Sequence, residues 1–137
     1  MSSFVPFDDA RTLLLAGNVI DPALIHWPNE PFVEPTGEPP AIFLSIECVG
    51  DLIAPIEMTG GAWEEQGCFY VHVNTPAGFG TDEARKIAKN VSNLYRDLPP
   101  RNVVYRGGSI GNGQPSEPTG HWWQLTVSID WIYQDQP

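Results

Sequence analysis

Residues 122–133 constrain the fold more than any other stretch of this chain. Trp123, Leu125, Val127, Ile129, Trp131 and Tyr133 recur at alternate positions, with Trp122, Gln124, Thr126, Ser128 and Asp130 on the reverse face. A period of two assigns the first set to the core side of an extended strand and the second to its other side. A strand this long with one apolar face needs neighbouring strands and a second layer to cover it.

Two further segments carry the same period. In 41–49, Ile42, Leu44, Ile46 and Cys48 share one face, and Phe43, Ser45, Glu47 and Val49 the other. In 67–75, Phe69, Val71 and Val73 oppose Tyr70, His72 and Asn74. If both strands lie in one sheet, Cys48 faces the core and Cys68 faces away, so no disulfide joins them. A shorter strand is expected at 102–105, with a weaker continuation through 106–110. Residues 50–66 read as a loop or long hairpin tip, acidic through Asp51, Glu57, Glu64 and Glu65 and turning at Gly60-Gly61, and 111–120 as a Gly/Pro/Ser loop.

Helical spacing appears twice. Asp8 and Asp9 precede Ala10–Ala16, and Gly17-Asn18 follow it, which predicts a short helix with an acidic start. Thr81 to Leu98 is the stronger case: Ala84, Ile87, Ala88, Val91, Leu94, Tyr95 and Leu98 form an apolar stripe, and Arg85, Lys86, Lys89, Asn90, Asn93 and Arg96 the opposite face. Between the first helix and the first strand, residues 22–40 hold six of the fourteen prolines, a density that predicts an extended connector. Trp27 and Phe32 within it predict a segment pinned to the domain.

These elements predict a single α+β domain over residues 1–137: a mixed or antiparallel sheet of about four strands with two helices packed on one face. A chain of 137 residues buries roughly 68% of its unfolded surface, enough for a core without staples.

Charge is segregated along the chain. Asp and Glu counted against Lys and Arg give −12 for residues 1–84, +5 for 85–106 and −3 for 107–137, the total of −10. Six of the seven bases, Arg85, Lys86, Lys89, Arg96, Arg101 and Arg106, fall in that middle stretch. A basic patch on an acidic body suits contact between copies, and the acidic total argues against general nucleic-acid binding, which is built from Lys and Arg. No apolar run approaches the roughly 18 residues of a membrane span, and the start Met1-Ser2-Ser3-Phe4 lacks the pattern of a signal peptide. Two cysteines without C-x-x-C spacing point to a reduced compartment and to no zinc site.

The search for chemistry is otherwise empty. His26, His72 and His121 are scattered over three elements and read as hydrogen-bonded histidines, so no metal and no cofactor is expected. Ser109 lacks the G-x-S-x-G context of a nucleophile, and Gly107–Gly113 lacks the downstream Gly-Lys-Ser/Thr of a phosphate loop. The turn at 78–81 opens a helix and could cradle an anion, but Asp82 and Glu83 in the first helical turn oppose one. Paired acids such as Glu64-Glu65 are adjacent and face apart, so no acid/base dyad and no catalytic residue is indicated.

Trp27-Pro28-Asn29-Glu30-Pro31-Phe32, then Gly67-Cys68-Phe69-Tyr70-Val71-His72-Val73, then Pro76-Ala77-Gly78-Phe79-Gly80-Thr81, and finally Trp122-Trp123 leading to Val127-Ser128-Ile129 resemble the phage tail-terminator-like proteins in order and spacing. The resemblance spans nearly the whole chain and rests on structural motifs. It implies a structural α+β subunit, without cofactor, that assembles with copies of itself as a ring, commonly a hexamer. Such a ring caps the finished tail tube of a long-tailed phage or gene transfer agent and provides the head-joining surface. Implied partners are the tail tube protein, a head-side connector or neck protein, and DNA only in passage through the lumen; no membrane is involved. The implied location is the head-proximal end of the virion tail, after assembly in the bacterial cytoplasm. Within that reading Arg85, Lys86, Lys89 and Arg96 are the candidate subunit interface, and Asp51, Glu57, Glu64 and Glu65 the candidate lumen or inter-ring loop. A neck or adaptor protein of similar fold is the alternative. An enzyme domain binding a small molecule or phosphate, through the turn at 78–81 and the loop at 107–113, is the alternative from a different class.

Overall fold

A computed structural model describes residues 3–56, 61–99, 101–115 and 121–135, excepting the side chains of 51 and 52. The elements run α1 (Phe4–Ala16), a single 3-10 turn (Pro22–Leu24), β1 (Ile25–His26), β2 (Phe43–Pro55), β3 (Trp63–Pro76), α2 (Asp82–Leu94), β4 (Val103–Ile110), β5 (Gln114–Pro115) and β6 (Trp122–Asp135). The strand with the longest alternation, β6, sits inside the sheet, whose order is β1-β2-β3-β6-β4 with β5 also on β6. β1 runs parallel to β2 and every other pairing is antiparallel, so the sheet is mixed. Among the described residues it has six strands rather than about four; the two additional ones are two-residue pairings in proline-containing segments that carry no period for sequence reading to detect.

Register aligns the apolar faces. Leu44, Val73 and Leu125 lie side by side across β2, β3 and β6, as do Ile46, Val71 and Val127, and Cys48, Phe69 and Ile129. Ala10 and Leu14 of α1 and Ala84, Ala88 and Val91 of α2 close over these rows in one core. Each large side chain sealed there contributes about 1.5–3 kcal/mol by burial. Both helices therefore pack on one sheet face, and small residues on their inner sides let them approach it closely. The opposite face is polar and internally bonded: Asn74 Nδ2 donates to Ser45 Oγ at 3.1 Å and Gln124 Nε2 donates to Asn74 Oδ1 at 3.3 Å.

Three boundaries differ from the sequence reading. α1 begins at Phe4, so Asp8 and Asp9 lie within the helix rather than at its start; Pro6 fits there because the first helical turn needs no donor. α2 stops at Leu94, four residues before Leu98, where Asp97 adopts a left-handed φ of 52°. Arg96 and Leu98 consequently lie beyond the helix. The segment 50–66 is largely strand: β2 and β3 pair out to Pro55 and Trp63 after a bulge between Gly50 and Leu52 resets the register. β4 runs to Ile110, along the weaker continuation expected at 106–110, across a bulge between Tyr105 and Gly107. In each strand, backbone pairing with a long neighbour sustains what side-chain alternation does not signal.

The tryptophans of 122–123 also exchange the expected burial. Trp122, on the reverse face, is buried against Phe43 in an edge-on contact at 4.8 Å, and its indole donates to Glu34. Trp123 is half-buried outside the main core, beside Gly113, where an added Cβ would lie 2.3 Å from its Nε1. The connector causes the exchange by laying Phe32 over Phe43 at 5.2 Å and so covering the sheet's second face. Its other anchor is Arg11, whose guanidinium lies over Phe7 and Trp27 and pairs with Glu30 at 3.3 Å.

Candidate assembly surface

Amphipathic spacing turns Ala84, Ala88 and Val91 inward, so Arg85, Lys86 and Lys89 of α2 face solvent. Their local bonds are weak surface ones. Arg85 Nε donates to Thr81 Oγ1 at 3.0 Å, and Lys86 stands 3.6 Å from Glu83 in an exposed i,i+3 pair that contributes little. Arg96, just past the helix end, donates to Asn93 Oδ1 at 3.0 Å. Lys89 and Arg96 wall a shallow groove of about 280 Å³ whose other side is Gly107, Gly108 and Ile129. A Cβ at Gly107 would meet nothing within 4 Å, whereas one at Gly108 would lie 2.2 Å from the Ser128 carbonyl oxygen, so Gly108 lets β4 close against β6 beside the basic face.

Arg101 belongs to a different arrangement. Its guanidinium is bonded to Asp9, and Tyr105 donates to the second oxygen of that carboxylate at 2.6 Å. This link ties α1 to β4 across more than ninety residues, and no spacing in the sequence signals it. Burial raises the hydroxyl pKa of Tyr95 and Tyr105 above the ordinary 10.0, with the Asp9 charge the next influence on Tyr95 and the Asp9 hydrogen bond the next on Tyr105.

Of the acids singled out in the sequence, the described ones lie on strands β2 and β3 rather than in one exposed loop. Asp51 is the extra residue of the β2 bulge, and Glu57 lies outside the described residues. Glu64 is half-buried and accepts from Gln66 Nε2 at 2.8 Å. Glu65 is only 4% exposed, and its carboxylate accepts from the Ser3 N–H at 2.9 Å. It is thus a structural anchor for the start of α1 and is withdrawn from the lumen set.

The histidines serve separate elements. His72 Nδ1 lies 2.8 Å from Thr126 Oγ1 and its Nε2 3.2 Å from Glu47; His26 stacks on Phe32; the His121 carbonyl accepts from the Ala77 N–H at 3.0 Å. No group of three His, Cys, Asp or Glu among the described residues could hold a metal ion. Cys48 and Cys68 are not joined by a disulfide and face opposite sides of the sheet, Cys68 pairing in register with Val49, and burial pushes the Cys68 thiol up. No described helix is long and apolar enough to cross a membrane. The glycine-rich 107–110 segment is strand β4 rather than a phosphate-binding loop.

The family profile of the phage tail terminator protein matches residues 11–131. The chain belongs to the phage tail terminator family. Tail terminators are structural tail proteins, not enzymes, and the family match places this one among virion components. No curated protein matches the sequence. One solved chain without a descriptive name is 20% identical with a TM-score of 0.66, over 100% of this terminator and 99% of that chain. A chain from the virion of a native gene transfer agent particle is 16% identical with a TM-score of 0.57, over 92% of each. Both likenesses show a shared fold, along the whole chain in the first case and 92% of it in the second.

Proposed function

We propose that this tail terminator caps the finished tail tube as a ring, a hexamer on the family resemblance, and presents the head-joining surface of a long-tailed phage or gene transfer agent particle. The observation that carries the reading is the exposed cationic face formed by Arg85, Lys86 and Lys89, with Arg96 beyond the helix, on a chain of net charge −10. In a ring each copy offers this face to an acidic neighbour, and opposite charges both speed encounter and set orientation. Glu64 and Asp51, with Glu57 as the further candidate, lie toward the bore, where negative charge lets DNA pass without adhering. The tail tube protein binds one side of the ring and a head-side connector the other.

Electron microscopy of the protein mixed with tubes polymerised from the tail tube protein tests this. Caps at one tube end are expected. Binding to a head-side connector but not to tubes would reassign the protein as a neck component, and binding to neither would overturn the reading.

A further inference from the structure

Strand order gives the sheet two chemically different edges. On one side β4 is the outermost strand; on the other, β1 pairs only with Leu44 and Ser45, and no described strand continues along β2 past that point. A strand edge is a ready template for pairing with another chain.

The β4 edge is presented for such pairing. Gly111 gives its N–H to the Thr126 carbonyl at 2.9 Å, and Ser109 stands opposite Ser128. Alternation in an antiparallel ladder then turns the backbone groups of Gly108 and Ile110 away from β6. Ile110 pairs in register with Val127, so its side chain is on the helix-bearing face, yet it is 38% exposed.

The far edge offers what this one lacks. Between α1 and β2 runs a groove of about 520 Å³, lined by Phe4, Phe7, Ile46 and Val49 among others, with Phe4 67% exposed. This groove too is on the helix-bearing face. Charge separates the edges further: strands β1, β2 and β3 carry Glu47, Asp51, Glu64 and Glu65 and no Lys or Arg, and Arg11 beside the groove is paired with Glu30, whereas β4 carries Arg106 and is flanked by Lys89 and Arg96.

We infer that the β4 edge of one copy pairs with the β2 edge of the next, extending one sheet through both molecules. Ile110 enters the Phe4–Phe7 groove, and the basic flank of β4 meets the strands that carry acids and no base. The two edges differ, so the contact is head-to-tail and either closes into a ring or grows as a filament. The inference rests on the reading that copies of this chain assemble, but not on their binding a tail tube.

Native mass spectrometry with hydrogen–deuterium exchange on the full chain, over a dilution series, tests it. Slowed exchange at 108–110 is expected as mass rises above 15.1 kDa. Ile110→Asp and Phe4→Lys, both at exposed positions, should each weaken association by about tenfold, and the double variant, with opposite charges facing, should recover part of the loss. Assembly with unchanged exchange at 108–110 would overturn the inference, as would indifference to both substitutions or a chain still monomeric at about 1 mM. A ring that caps tubes through another surface would sink edge pairing and leave the terminator role intact. Edge-paired copies that ignore tubes would do the reverse.

Discussion

The Tyr95 hydroxyl donates a 2.8 Å hydrogen bond to the main-chain carbonyl of Ala10, fastening the end of α2 to the middle of α1. Both residues are buried. The bond adds a polar link between the helices to the packing of Leu14, Ala84, Ala88 and Val91 in the core. Tyr95→Phe keeps the ring packing and removes the bond, and is expected to cost about 1 kcal/mol. The measurement is the urea midpoint at constant m-value; an unmoved midpoint would show that the bond adds nothing net.

The same buried tyrosines set an alkaline limit. Tyr95 and Tyr105 have hydroxyl pKa values raised above 10.0 by burial, so above that pH the unfolded chain releases protons that the folded chain retains. Their contribution is complete below pH 10 and is lost as pH rises from there toward the raised folded values. The loss should reach about 1.4 kcal/mol per pH unit for each tyrosine. Tyr105→Phe is expected to flatten this slope in denaturation curves recorded from about pH 9 to about pH 11; an equally steep fall would assign it to other groups.

Gly67 lies where β2, β3 and β6 press together. A Cβ there would fall 2.1 Å from the Val49 carbonyl oxygen and 2.4 Å from Trp131 Cζ2. Gly67→Ala must displace either the strand or the indole, and a destabilisation of about 1–3 kcal/mol is expected. Near-UV circular dichroism would register the shifted Trp131 alongside a lower melting temperature. An alanine variant that melts with the native protein would contradict the close packing.

Reversal of Arg85, Lys86 and Lys89 to Glu should separate assembly from folding. All three are exposed, so the melting temperature should hardly change, each site being within about 0.5 kcal/mol. Association measured by light scattering should fall, and that of the native protein should weaken as salt shortens the Debye length from about 10 Å at 0.1 M to about 3 Å at 1 M. Equal association by the reversed variant would remove α2 from the interface.

Much of this architecture is legible in the residues. The alternation in β6, β2 and β3 assigns each side chain to the correct sheet face, apart from the unequal burial of Trp122 and Trp123, and the stripe Ala84-Ala88-Val91 orients α2 with its cations outward. Such information is local, because strand pleat and helical pitch repeat every few residues and show directly in the order of apolar and polar types. The α+β class and the membership of a structural family are legible for the same reason, since they rest on motif order along one chain.

Placement between distant segments is not local, and there the folded molecule decides. The extension of β2 and β3 to Pro55 and Trp63 depends on backbone pairing and a bulge rather than on side-chain period. Glu65 is drawn inside by the Ser3 N–H, and Asp9 collects Arg101 and Tyr105 from the far end of the chain. Sequence shows that acids and bases are segregated, but strand order converts that segregation into two opposed edges, with β4 among the bases and β2 among the acids. Side-chain pattern follows from covalent neighbours, whereas an edge exists only relative to the strands that a sheet has already paired.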